Sequence, residues 1–396
     1  MIWLEEMLMS DAPEKRGKPT TVLIVVDPSG SAERLEAELG EAARVLRDGG
    51  TVAFPTETVY GLGGNALDRR AVARIFAAKG RPQDNPLIVH IADMGALGSI
   101  ASSVSPGARA LADRFWPGPL TLILPKSDAI PDEVTAGLDS VAVRMPSHPV
   151  AAALIRAAGV PVAAPSANIS GRPSPTSAEH VWHDMAGRID MLVDGGSADI
   201  GVESTVIDMT CSPPMILRPG GITLEEIREV IPETVVLTGG EGLDGPAKSP
   251  GLRHRHYSPE AQMWLVIGEW DAQVDEIKSR AAAGVRLGRR VGLLVSTETA
   301  AKLCTWIRDC GGEGPAGEII VAEIGSRNDA SQVASGLFDG MRRLDAAEVD
   351  MMLAESYDAR GMGLAIMNRL MRAAGGRIIR VQGEAGNDLI SEKSIE

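Results

Sequence analysis

Residues 51–63 read Thr51-Val52-Ala53-Phe54-Pro55-Thr56-Glu57-Thr58-Val59-Tyr60-Gly61-Leu62-Gly63. The first four form a short apolar strand, and Pro55, which has no backbone N–H, ends it. Two threonines and a tyrosine follow at once, in the kind of loop at a strand end where α/β sheets bind ligands. Glycines 61 and 63 let the backbone approach a neighbour closely. Upstream, residues 31–48 have helical periodicity and stop at Gly49-Gly50. Downstream, a second helix fits 68–79. Short apolar strands then recur at 86–91, 120–125, 140–146, 160–168, 191–196, 205–209 and 214–220, with helices at 106–115, 148–158 and 177–187. Many strands with fewer helices predict a twisted, mixed open α/β sheet rather than a strict βαβ alternation.

The pattern breaks at Gly239–Gly251, GGEGLDGPAKSPG, where no periodic element survives. Residues 238–262 are expected to be a linker and 31–237 the first domain. Residues 1–30 are expected to be a tail, with 1–19 either loose or an over-long start preceding a true start at Met9. From 263 onward strands and helices alternate strictly: 264–268, 271–284, 290–296, 298–309, 318–324, 328–344, 349–355 and 362–374. That alternation predicts a smaller parallel, doubly wound α/β domain over 263–396.

Aromatic residues make up only 3% of the 396, so aliphatic side chains pack these layers. A formal charge of −14 disfavours a protein whose main task is gripping a nucleic-acid backbone. Cys211, Cys304 and Cys310 form no CxxC pair and no zinc spacing, which fits free thiols in a reducing cytoplasm. No apolar run has the length of a membrane span, and the acidic start MIWLEEML does not read as a signal peptide.

Three further segments carry chemistry. Lys79-Gly80-Arg81-Pro82-Gln83-Asp84-Asn85-Pro86 sets a point charge and a planar fork two residues apart, able to face one anion. His90 follows in the next strand, a position where a histidine is more often a packed residue than a catalyst. Pro165-Ser166-Ala167-Asn168-Ile169-Ser170-Gly171, continuing to Ser174, crowds small donors and acceptors into a turn. Thr121 in PGPLT, Arg144 in VAVRMP, Ser204 in EST and Arg218 in LRPGG stand beside apolar strands, where a buried arginine needs an anionic partner. Each segment alone also reads as an ordinary capped turn. The chain lacks a GxxxxGK[ST] phosphate loop, a GxSxG elbow and an HExxH motif, and Gly361-Met362-Gly363 is only a fragment of a dinucleotide fingerprint.

In their order, PTETVYGLG, KGRPQDNPL, PGPLT, VAVRMP, PSANISG, ESTV and LRPGG resemble the YrdC-like threonylcarbamoyl-AMP synthases. SPGLRHRHYSP at 249–259 and GMGLAIMNRL at 361–370 resemble the longer two-domain form. The resemblance covers about residues 32–380. It implies a twisted sheet around a concave cavity with an appended Rossmann-like domain. The implied reaction joins L-threonine, bicarbonate and ATP into threonylcarbamoyl-AMP and pyrophosphate, for transfer to tRNA by a partner transferase. By motif match, Lys79, Arg81, Ser166 and Asn168 are the expected catalytic set. L-Threonine is placed against Thr58, Arg81, His90, Arg144 and Ser204. ATP is placed against Lys79, Asn85, Thr121, Ser166, Asn168, Ser174 and Arg218, with His256 and Tyr257 of the linker closing over it. ATP is expected as a substrate accompanied by Mg2+, with no tightly bound cofactor and no protein metal site; His254 and His256 alone do not make one. A transient tRNA contact is compatible with the resemblance. The competing reading is an RNA-binding module of this type without its own catalysis. A zinc-finger-bearing carbamoyl-AMP-forming protein and a binding protein that has lost catalysis are disfavoured by the scattered cysteines and by the intact Lys79, Arg81, Ser166 and Asn168.

Overall fold

The computed structural model describes residues 20–237, 248–249, 256–310 and 317–381. Eleven of its strands form one mixed sheet. In spatial order they are Val22–Val25, Met191–Asp194, Val52–Phe54, Gly61–Asn65, Val162–Ala163, Ile88–His90, Ser140–Arg144, Leu120–Pro125, Thr205–Asp208, Met215–Arg218 and Val235–Val236. Parallel and antiparallel neighbours are interspersed, as the many-strand pattern predicts.

The side-chain period of two sorts each strand between two layers. Leu122, Leu124, Val141, Val143 and Leu192 face one core with Val72 and Ile75 of the helix Arg69–Lys79. Val52, Phe54, Met191 and Val193 face another, covered by Leu35, Leu46 and Leu154 of the helices Ala32–Glu38, Gly40–Arg47 and Pro149–Ala158. On the same strands, Ile88, Ile123, Ala142 and Val206 make a small separate apolar patch.

Several sequence expectations change. Residues 31–48 form two helices, because the chain turns at Leu39 before Gly40. Part of the expected tail, Val22–Val25, is the edge strand beside Met191–Asp194, its backbone pairing outweighing the exposure of Val22 and Val25. The loop after Phe54 is short: Gly61–Asn65 doubles back as a strand, and a Cβ at Gly63 would lie 2.7 Å from Phe54 and Val162. Of 160–168 only Val162–Ala163 pairs as strand, since the PSAN segment turns to make side-chain bonds.

The second sheet is fully parallel, in the order Ile319–Glu323, Val291–Val295, Met351–Glu355, Gln262–Ile267, Ile378–Arg380. Helices cover both of its faces, the doubly wound arrangement. The helices Ala330–Ala346 and Met362–Ala374 lie toward the first sheet unit, and Val59 and Val202 of that unit join their core. Gly201 permits this approach. Its φ is +77°, and a Cβ there would lie 2.4 Å from the backbone of Ser335. Most of the expected linker, 238–247 and 250–255 with His254, lies outside the described residues, as do residues 1–19.

Candidate active site

The cavity sits over one row of the first sheet. His90 pairs with Arg144, Arg144 with Thr121, Thr121 with Val206, and Val206 with Arg218. Paired residues of adjacent strands face the same side, so four separate motifs gather above the Ile88–Ile123–Ala142–Val206 patch.

Arg144 organises one end. Its Nη1 donates to Thr58 Oγ1 at 2.9 Å and its Nε to the carbonyl of Gly118 at 3.3 Å, while Nη2 lies 2.8 Å from Glu57 Oε1. Thr56 and Thr58 share a hydroxyl contact of 2.8 Å, which keeps the loop turned inward. Burial alone would raise the Glu57 carboxyl, but the Arg144 guanidinium outweighs it and holds the group below the usual carboxylate range. His90 lines this end, with Nδ1 3.2 Å from the carbonyl of Ile88; burial, then Arg144, pushes its imidazole down to about 3, so it is neutral.

The KGR segment follows from a helix stop. Gly80 takes φ +60° as the C-cap of Arg69–Lys79, so Lys79 ends the helix and Arg81 is turned the other way. Arg81 lines the cavity, its Nε and Nη2 held by the carbonyls of Asn85 and Pro86 at 3.1 and 2.9 Å. Lys79 does not line it. Its Nζ lies 2.5 Å from the carbonyl oxygens of Ser166 and Asn168 and 3.4 Å from Asn168 Oδ1. Burial, reinforced by Arg81, pushes the Lys79 ammonium well down. Three acceptors around one nitrogen call for three N–H donors, so we assign it the charged form. Lys79 therefore shapes the PSAN turn from below. Asn168 belongs to the same support, with Oδ1 accepting from Ser166 Oγ at 2.5 Å and Nδ2 donating to Arg172 O at 2.9 Å. Ser166 itself faces the cavity.

The other end is built around Glu203. Ser174 Oγ donates to its Oε1 at 2.5 Å, and Arg369, from the helix Met362–Ala374, donates Nε to its Oε2 at 2.9 Å. Burial opposes this charge, but Arg369 and then Arg218 hold the carboxyl low. Arg218 donates to the carbonyl and hydroxyl of Ser204 at 3.0 and 3.1 Å, and Ser204 Oγ lies 2.8 Å from Thr121 Oγ1. Thr121 and Ser174 thus stand behind the wall formed by Ser204 and Glu203.

His256 and Tyr257 line the cavity as well. Tyr257 is a non-glycine residue with φ +62°, stacked on Phe338 at 5.3 Å. His256 Nε2 lies 3.4 Å from Asn85 Nδ2, and burial with Arg81 pushes its imidazole down to about 3. The cavity has a volume of about 50 Å3 and is partly open.

Among the described residues, three buried arginines, Arg81, Arg144 and Arg218, line the cavity against one carboxylate, Glu203. Burial and Arg218 push the Arg81 guanidinium down to about 9, a sign of cations crowded together. Such a site favours anionic ligands.

Residues 44–220 match the Sua5/YciO/YrdC family model, described as telomere recombination, and residues 222–375 match the threonylcarbamoyl-AMP synthase C-terminal domain. The threonylcarbamoyl-AMP synthase of Pyrococcus abyssi is 48% identical over 352 residues, 88% of this chain and 98% of that protein. The Bacillus subtilis threonylcarbamoyl-AMP synthase is 47% identical over 357 residues, 90% and 98% of the two chains. The chain belongs to the threonylcarbamoyl-AMP synthase family. The crystal structure of P. abyssi Sua5 complexed with L-threonine superposes with a TM-score of 0.82 at 47% identity, covering 91% of this chain and all of that one. The chain thus has the mixed α/β sheet and the second parallel sheet expected of this family.

Sequence reasoning quoted Glu57 and Glu203 in their motifs but gave neither a role, and gave none to Arg369. Arg369 had a signal: with Ile366, Leu370 and Ala373 it lies on the apolar stripe of its helix.

Proposed function

We propose that the protein condenses L-threonine with bicarbonate and adenylylates the product with ATP, giving threonylcarbamoyl-AMP and pyrophosphate. The family carries this reading, and one observation within the chain supports it: three buried arginines, Arg81, Arg144 and Arg218, line one cavity against a single carboxylate, Glu203. The threonine amine and bicarbonate first yield the carbamate and water. A carbamate oxygen then attacks the α-phosphorus, and pyrophosphate leaves. No enzyme nucleophile is required; the site supplies alignment, charge and exclusion of water.

We assign the threonine end to Thr58, His90, Arg144 and Ser204, with Arg81 between the ligands, and the ATP end to Ser166, Arg218, His256 and Tyr257. Asn85 and Ser174 act on the ATP end through His256 and Glu203, Lys79 and Asn168 act on it through the PSAN turn, and Thr121 supports Ser204, which Arg218 of the ATP end also holds. Fifty cubic ångströms is far below the several hundred that nucleotide sites occupy. His256 and Tyr257 must therefore withdraw for ATP to enter, and they serve as a lid. Among the described residues no three His, Cys, Asp or Glu side chains converge as a metal cage, and Glu57 and Glu203 are turned to arginines. Magnesium is placed on the triphosphate, entering with the substrate.

No helix among the described residues is long and apolar enough to cross a membrane. The expected setting is the cytoplasm, where a separate transferase consumes the product to modify tRNA, with at most a transient tRNA contact here. ATP–pyrophosphate exchange that requires both threonine and bicarbonate tests the reaction. Exchange with neither present, or no exchange with both, refutes it.

A further inference from the structure

We propose that Arg369, a residue of the C-terminal domain, is a positioning residue for the ATP end of the active site. Its side chain is fully buried, on the helix Met362–Ala374, and crosses the domain interface. Nε donates to Glu203 Oε2 at 2.9 Å, Nη1 donates to the carbonyl of Pro219 at 2.8 Å, and the guanidinium lies over the Tyr257 ring at 5.3 Å. Each contact leads to a group assigned above to ATP. Glu203 carries Ser174 and sits in the field of Arg218. Pro219 is the backbone neighbour of Arg218. Tyr257 is the lid.

Three facts set this arginine apart from an ordinary interface pin. Tyr257 occupies a left-handed backbone conformation at φ +62°, which an L-residue holds only when its surroundings impose it. Phe338 and Arg369, both from the C-terminal domain, hold its ring from two directions. Glu203 is buried and needs a counter-charge, which the described residues of the first sheet unit supply through Arg218, already donating to Ser204. The planar fork of arginine can serve a carboxylate, a carbonyl and an aromatic face together, whereas a lysine is a single point charge. Arg369 thus gives the C-terminal domain a part in nucleotide binding without touching the substrate.

This inference rests on the synthase reading, so the full-length wild-type enzyme must first form product; if it does not, that reading fails and not this one. Steady-state KM and kcat are then measured for ATP and threonine with Arg369→Met, Arg369→Lys and Asp339→Asn. Asp339 pairs with His180 across the same interface at 3.4 Å, away from the cavity. Expected is a rise in the ATP KM of about tenfold or more for Arg369→Met and a smaller rise, about threefold to fivefold, for Arg369→Lys, the threonine KM staying within about twofold. Asp339→Asn should leave both constants unchanged. If Arg369→Met does not fold, Arg369→Lys decides alone. An ATP KM equal to wild type in the folded arginine variants overturns the proposal. So does an equal rise of both KM values, or the same rise in Asp339→Asn, because each marks general loosening of the interface.

Discussion

Arg144 Nη1 donates to Thr58 Oγ1 across 2.9 Å, joining the strand Ser140–Arg144 to the loop that follows Phe54. The same guanidinium holds Glu57 and reaches the carbonyl of Gly118. One planar group therefore fixes one whole end of the cavity. Arg144→Lys keeps the charge but cannot satisfy three directions. We expect it to raise the threonine KM by about tenfold with a smaller effect on the ATP KM. Equal effects on both would contradict the division of the cavity into two ends.

Lys79→Ala and Arg81→Ala should each cut product formation by about a hundredfold or more, for different reasons. Arg81 faces the cavity and also holds the carbonyls of Asn85 and Pro86, so its loss should remove a ligand contact and lower the melting temperature, by less than the loss of Lys79 does. Lys79 holds three oxygens of the PSAN turn, and each orphaned acceptor costs about 1–3 kcal/mol. Lys79→Ala should therefore remain folded at 25 °C by circular dichroism but melt several degrees lower. Unaltered activity in either folded variant would remove that residue from the site.

His90 and His256 are both buried neutral, with imidazoles pushed down to about 3. A histidine in the unfolded chain takes up its proton near pH 6.5, whereas these folded ones resist until about 3. Their contribution is thus complete above pH 6.5 and is lost as pH falls through that window, at about 1.4 kcal/mol per pH unit for each group. Melting temperature should fall steadily from pH 6.5 toward 4, and His90→Gln should flatten the slope. A slope identical to wild type would show that His90 is not buried neutral.

Gly201→Val should force the two domains apart, since a Cβ there meets Ser335 Cα at 2.4 Å and Ala334 O at 2.5 Å. Neither backbone atom can step aside as a flexible side chain would, so a destabilisation of about 2 kcal/mol or more is expected. Denaturant unfolding measures it, and a wild-type midpoint would mean the interface is looser than described.

Much of this was legible in the chain itself because strand periodicity and strand-end motifs are local. The motifs around Arg81, Arg144, Ser166 and Arg218 announced a site, and the strict alternation after residue 263 announced a parallel sheet. What could not be read was depth. Whether Lys79 or Arg81 faces the cavity depends on the φ of Gly80, and whether Thr121 or Ser204 stands in front depends on strand register. The Glu203–Arg369 pair spans 166 residues, and no local pattern links its two halves. The strand Val22–Val25 was missed because its sheet partner, Met191–Asp194, is equally distant.

The central claim is the identity of the product, and mass spectrometry of the reaction of the purified protein with L-threonine, bicarbonate and ATP tests it most directly. The account predicts threonylcarbamoyl-AMP, lost when either threonine or bicarbonate is omitted and carrying the isotopic label of the bicarbonate carbon. An adenylate lacking that carbon, or ATP consumed without any threonine-containing adenylate, would contradict it.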